Sequence, residues 1–121
     1  MRLRELVPLN ELDDQVQYNK TKTGLHQYSV GKNWSVGEVA ERPDHMYLMN
    51  LDTQQTKRGR GYANNIMKSI TNHADSINKS MKLYVQPRDR NTDTDRLRGF
   101  YKAHGFESEK HDPNQMFRSK K

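Results

Sequence analysis

Residues 58 to 63, RGRGYA, set two glycines and an alanine among two arginines and a tyrosine, directly ahead of a stretch with helical periodicity. A turn that enters a helix presents first-turn N–H groups with no partner inside the helix, and anions bind there. Gly59 and Gly61 let the main chain approach a phosphate with no side chain in between, and Ala63 keeps the next turn narrow. Lys57, Arg58 and Arg60 add positive charge at the same point. The chemistry these residues suit is phosphate binding through backbone amides. A P-loop needs GxxxxGK followed by Ser or Thr, whereas Gly61 is followed by Tyr62, Ala63 and Asn64. The dinucleotide fingerprint GxGxxG needs a third glycine at position 64, where Asn64 stands. Both are excluded.

Other chemistries find few candidates. The absence of cysteine excludes disulfides, thiolate metal sites and a Cys nucleophile, and fits a reducing compartment. The five histidines, His26, His45, His73, His104 and His111, show no HxxxH or HExxH spacing, so they read as surface or structural residues and no metal is expected. A net charge of +6 favours an anionic partner: nucleic acid, an acidic protein or a small polyphosphate.

The elements that must hold the glycine stretch follow from periodicity. In the first 24 residues, LRELVPLNELDD reads as a short strand and a helical turn, and NKTKTG as a polar loop closed by Gly24. LHQYSV, a GKN turn and WSVGEVAE form a hairpin, broken by RPD. HMYLMNL, residues 45 to 51, is apolar on both faces at its centre, as in the interior of a sheet. After the glycines, Ala63, Ile66, Met67, Ile70, Ala74 and Ile77 recur every three or four residues, which predicts an amphipathic helix of roughly four turns. KLYVQ, Lys82 to Gln86, is a strand ended by Pro87. Strand, glycine turn, helix, strand is a right-handed crossover whose two strands pair in parallel. Thr92, Asp93 or Thr94 caps a second helix that carries Leu97, Phe100 and Tyr101 on one face and ends at Gly105. FESEK and NQMFRSK close the chain as a hairpin.

The length of 121 residues suits one domain, 1–121, with no internal repeat and no apolar run suited to a membrane span or secretory signal. The expectation is a cytoplasmic protein without membrane partners. Only 21 residues are Leu, Ile, Val or Phe, so the core is thin even with six Met, six Tyr and one Trp to extend it. Such a domain gains from a ligand or from dimerisation, and both monomer and homodimer stay open.

Two motifs carry a resemblance. Arg58, Gly61 and Ala63 meet the pattern Arg/Gln-x-x-Gly-x-Gly/Ala, which resembles the acyl-CoA pyrophosphate loop of the GNAT superfamily N-acetyltransferases. LRGFYKAHGFE, Leu97 to Glu107, resembles that family's second motif, with Tyr101, Gly105 and Phe106 in register. The 43 residues from Arg58 to Tyr101 suit the family's order of elements, and the likeness covers about residues 45 to 117. The turn from Leu51 to Arg58 is about two residues longer than is common there. Thr94 stands where the family often has Asn, and the N-terminal region has room for little more than one of the usual two helices.

The resemblance implies a mixed α+β, three-layer GNAT-like fold, its sheet mostly antiparallel with one parallel strand pair splayed around the cofactor. It implies acetyl-CoA as acyl donor, with the pantetheine arm along Met49, Asn50 and Leu51 as an added strand. The pyrophosphate would lie on the amides of Gly59, Arg60, Gly61, Tyr62 and Ala63, near Arg58 and Arg60, with Thr94 offering a hydroxyl. Tyr101 is the implied catalytic residue, bonded to the departing sulfur or protonating it, and an N–H near residues 49 to 51 would hold the oxyanion. A lysine-like amine costs roughly 4 to 5 kcal/mol to deprotonate at pH 7. Glu38, Asp52 and Asn50 through water are candidate bases, with no choice among them. The acceptor is an unidentified primary amine attacked directly in a ternary complex. Two alternatives stand beside this: a basic nucleic-acid-binding domain using Arg58, Arg60, Arg88, Arg90, Arg96 and Arg98 with Tyr62 or Tyr84 stacked on bases, and an interaction module that kept the fold without transfer activity.

Overall fold

The structure, a computed structural model, describes residues 15–86 and 93–120. Seven strands form one sheet: β1 Val16–Lys20, β2 Leu25–Val30, β3 Ser35–Glu41, β4 His45–Thr53, β5 Ser80–Tyr84, β6 Glu107–Ser108 and β7 Gln115–Arg118, in the order β1-β2-β3-β4-β5-β7-β6. Among the described residues only β4 and β5 run parallel. Helix α1, Tyr62–Ser76, makes the crossover between them. Helix α2, Thr94–Ala103, follows β5. The architecture is thus mixed α+β, mostly antiparallel, with one parallel pair.

Helix α1 buries Ile66, Met67, Ile70 and Ala74 completely against Val30, Val39, Met46 and Met81. Each large apolar side chain removed from water in this way stabilises the fold by roughly 1.5–3 kcal/mol. Gly37 on β3 permits the close approach, because a Cβ there would fall 2.9 Å from Ile66 Cγ2. Leu97, Phe100 and Tyr101 of α2 pack against the same cluster. Asp93 caps α2 by accepting from the N–H groups of Asp95 and Arg96, at 2.9 and 3.4 Å. Gly105, at φ 94°, takes the left-handed conformation just beyond the helix.

Several expectations shift. Asn19 and Lys20 belong to β1, so the polar loop shrinks to Thr21–Gly24, closed by the Gly24 N–H on the Thr21 carbonyl at 3.0 Å. β5 begins at Ser80, two residues before the expected strand, because its register is set by β4, where His45 and Met46 face Ser80 and Met81. Beyond Tyr84, Val85 donates its N–H to the Asn114 carbonyl at 2.7 Å, outside the ladder. β4 buries one face through Met46 and Leu48 while Tyr47 is half-buried and Met49 exposed, in place of the two apolar faces read from its centre. Ile77 lies past the end of α1 and is exposed. The N-terminal strand and turn read from residues 1–14, the Pro87 stop, Arg88, Arg90 and the Thr92 cap lie outside the described residues. No described helix is long and apolar enough to cross a membrane.

Candidate functional site

The β3–β4 register pairs Glu38 with Asn50 and the next residue, Val39, with Leu48, so Met49 is the extra residue of a bulge. A bulge bends its strand and increases its twist. The parallel ladder ends at this level, with Leu48 opposite Leu83, and no pairing continues above it. Met49, Asn50 and Leu51 on one side and Tyr84 and Gln86 on the other therefore border a cleft of about 960 Å³. One end reaches Arg58, Gly59, Gly61, Tyr62 and Ala63, and a wall is made by Leu97, Phe100 and Tyr101. The two motifs meet across this cleft.

A short 3₁₀ turn, Gln55–Lys57, leads from β4 into the glycines. Gly59 and Gly61 have φ of 82° and 80°, a region that L side chains rarely adopt, and a Cβ on either would meet nothing within 4 Å. Gly61 caps α1 without any side-chain hydrogen bond, and the first turn holds no acidic residue. The amides of Gly59, Arg60, Gly61, Ala63 and Asn64 have no hydrogen-bond partner among the described residues. The first turn thus sets no carboxylate of its own against the positive end of the helix dipole. These features fit a diphosphate. Arg58 donates from Nε to the Thr53 carbonyl at 3.3 Å, which anchors its stem beside the loop. Arg60 is exposed and outside the cleft lining.

Tyr101 packs edge-on to Phe100 and Phe106, with ring centroids 5.2 and 6.0 Å away. Burial pushes its phenol up to about 12, so the hydroxyl keeps its proton at neutral pH. Such a group can donate a hydrogen bond or a proton, and it is not a base. Glu38 Oε1 accepts from Asn50 Nδ2 at 3.5 Å, placing a carboxylate beside the bulge, and Asp52 lines the cleft. His73 bonds Tyr28 instead, Nδ1 to hydroxyl at 2.5 Å, on the C-terminal half of α1. No cluster of three metal-ligating side chains occurs among the described residues.

Of the residues singled out in the sequence, Met49, Asn50, Leu51, Arg58, Gly59, Gly61, Tyr62, Ala63 and Tyr101 come together at the cleft. Thr94 opens α2 without lining it, while its neighbours Asp93 and Arg96 do. Sequence reasoning missed Asp93 as a cleft residue and the packing of Trp34 against Tyr62 and Lys57 beside the loop. The signal for Trp34 was its place in a glycine turn, where an indole has no reason to be solvated.

This order of elements, a mostly antiparallel sheet with one parallel pair joined through a helix, is a GNAT-type acetyltransferase fold. The crystal structure of the anti-CRISPR protein AcrVA5 aligns with a TM-score of 0.64 at 15% identity, over 87% of this chain and 99% of that one. The IAA acetyltransferase of Bacillus cereus aligns at 0.57 and 17% identity, over 77% and 74% of the two chains. The ribosomal-protein-S18-alanine N-acetyltransferase of Escherichia coli aligns at 0.55 and 10%, over 89% and 71%. No protein-family model and no curated protein sequence matches the chain. At these identities the likeness is one of fold.

Proposed function

We propose that the protein transfers an acetyl group from acetyl-CoA to a primary amine by direct attack in a ternary complex. The observation that carries this is the parting of β4 and β5 after Leu48 and Leu83, beside a glycine loop in which the amides of Gly59, Arg60 and Gly61 have no partner among the described residues. Met49 to Leu51 offer a strand edge to a pantetheine arm, and the amides of residues 59 to 63 face the diphosphate. Acetyl-CoA brings the thioester that makes the carbonyl reactive. Main-chain N–H groups at the bulge hold negative charge on the carbonyl oxygen, and Tyr101 gives its proton to the leaving sulfur. Glu38, tied to Asn50 beside the bulge, and Asp52 in the cleft lining are the carboxylates at hand for taking the amine proton. The setting proposed is cytoplasmic, in keeping with a cysteine-free chain.

Calorimetry with CoA, followed by release of free thiol from acetyl-CoA across a panel of amines, tests the reading. Binding with turnover supports it; binding without turnover on any amine leaves a cofactor-holding interaction module. A second reading draws on the near end-to-end match to an anti-CRISPR protein. In it the amine is borne by a protein of a CRISPR system, and co-expression with such a system would lower its interference.

A further inference from the structure

Both ends of the glycine loop rest on one indole. Trp34 closes the turn between β2 and β3, and its ring lies so close on Gly31 that a Cβ there would fall 2.3 Å from Cδ2. Tyr62, the buried first residue of α1, stacks on this ring with centroids 5.8 Å apart and planes 29° apart. Lys57 sets Nζ 4.5 Å from the ring centroid. Lys57 and Tyr62 bracket residues 58 to 61, which include the unpartnered amides of Gly59, Arg60 and Gly61.

The main chain adds to the same joint. The Trp34 carbonyl accepts the Gln54 N–H at 2.7 Å, and Gln54 Nε2 donates to the Asn33 carbonyl at 3.3 Å. Inside the bracket little else sets the shape, since neither glycine has a neighbour within 4 Å of its Cβ direction. Ordering a residue costs roughly 1–2 kcal/mol of backbone entropy, and glycine loses the most freedom. A loop with two glycines would pay that cost when an anion binds unless its ends were already fixed.

We propose that Trp34 is a positioning residue for the acyl donor's diphosphate. Its indole holds Lys57 and Tyr62 in place and so keeps the amides of residues 59 to 63 convergent before the ligand arrives. This rests on the reading of the loop as the CoA site given above. Lys57 then sits between two attractions, the face of the indole and the diphosphate, and its ammonium shifts toward the phosphates when they are present. Because Trp34 is the single tryptophan of the chain, its emission reports that shift directly.

The test titrates the wild type, Trp34→Ala, Trp34→Phe and Gly31→Ala with CoA by calorimetry, and follows wild-type tryptophan emission with CoA and with pantetheine, which lacks the diphosphate. The expected result is a change of emission that saturates with the heat of CoA binding and is absent with pantetheine. Trp34→Ala weakens CoA roughly tenfold, and Trp34→Phe, which keeps a ring under Tyr62, recovers all but about threefold. Gly31→Ala, remote from the ligand but displacing the indole, weakens CoA as well. If the wild type binds CoA with unchanged emission and the variants that fold keep its affinity within about twofold, Trp34 has no such role while the CoA reading survives. If the wild type shows no heat with CoA, the CoA reading fails and the inference with it. Should Trp34→Ala fail to fold, Trp34→Phe, Gly31→Ala and the wild-type emission still decide.

Discussion

The two ends of helix α1 are built on opposite plans. At the N-terminal end Gly61 provides no capping side chain, the first turn holds no acidic residue, and the amides of Gly59, Arg60, Gly61, Ala63 and Asn64 have no partner among the described residues. At the other end nearly every polar group has a protein partner. Arg118 on β7 grips Asp75 through two hydrogen bonds of 2.8 and 3.0 Å and reaches the His104 carbonyl with Nε. Lys79 joins Glu41, Glu41 joins buried His26, and His26 joins the Tyr18 hydroxyl. His73 bonds Tyr28 alongside. The contrast shows how a chain with few aliphatic residues divides its work. One end of the helix is tied down with side-chain hydrogen bonds, and the other keeps its bonding capacity for a ligand.

Breaking the tied end has the largest expected effect. Asp75→Ala leaves Arg118, a residue only 5% exposed, without this carboxylate. Loss of one partner of a buried pair costs about 3 to 5 kcal/mol, so denaturant unfolding of this variant shifts by that amount. CoA affinity of the folded fraction stays as in the wild type, because the change is at the far end of the helix. Equal loss of affinity and stability would mean that the two ends are not separable.

At the open end the largest change is in rate. Tyr101→Phe keeps the ring packing and removes only the hydroxyl, so turnover falls about 100-fold while the CoA dissociation constant holds. Thiol release and calorimetry on one preparation read both; unchanged turnover removes Tyr101 from the chemistry. Gly61→Ala places a Cβ on a residue at φ 80°. Strain of about 1–2 kcal/mol follows, with a rotation of the adjacent amides and a loss of CoA affinity of roughly tenfold. Stability falls by the smaller part, which thermal unfolding without ligand measures.

The same contrast explains what the sequence could disclose. Local signals at the open end were readable: two glycines where φ is positive, the three-and-four spacing of Ile66, Met67 and Ile70, and the shared face of Leu97, Phe100 and Tyr101. Long-range pairing was not. The bulge at Met49 is a matter of register with β3 and leaves no mark in HMYLMNL itself. The start of β5 is imposed by β4, so the β-forming residues of KLYVQ placed it two residues late. β1 is an edge strand of mostly exposed residues, VQYNK, without the alternation that announces a half-buried strand. At the tied end, Asp75 and Arg118 are 43 residues apart, and nothing local pairs them.

The smallest predicted effect concerns protons at the tied end. Burial, followed by the nearby His26, holds the His73 imidazole below its ordinary value of 6.5, with Glu41 opposing and Lys20 adding slightly. The folded state therefore binds fewer protons than the unfolded chain over the interval below 6.5. Stability from this group is complete above that value and is lost as pH falls through the interval. The Glu41 carboxyl, held down to about 2 by Lys79 and then by His26, acts in the same direction at lower pH, its share vanishing between 4.5 and 2. Denaturant midpoints measured from pH 7 to 5 should fall in the wild type and fall less in His73→Asn, whose amide takes up no proton. CoA binding over the same range, corrected for unfolding, should follow the wild type in both, because the open end carries no histidine among its cleft residues. An acid limb equally steep in the variant would show that His73 is not its source.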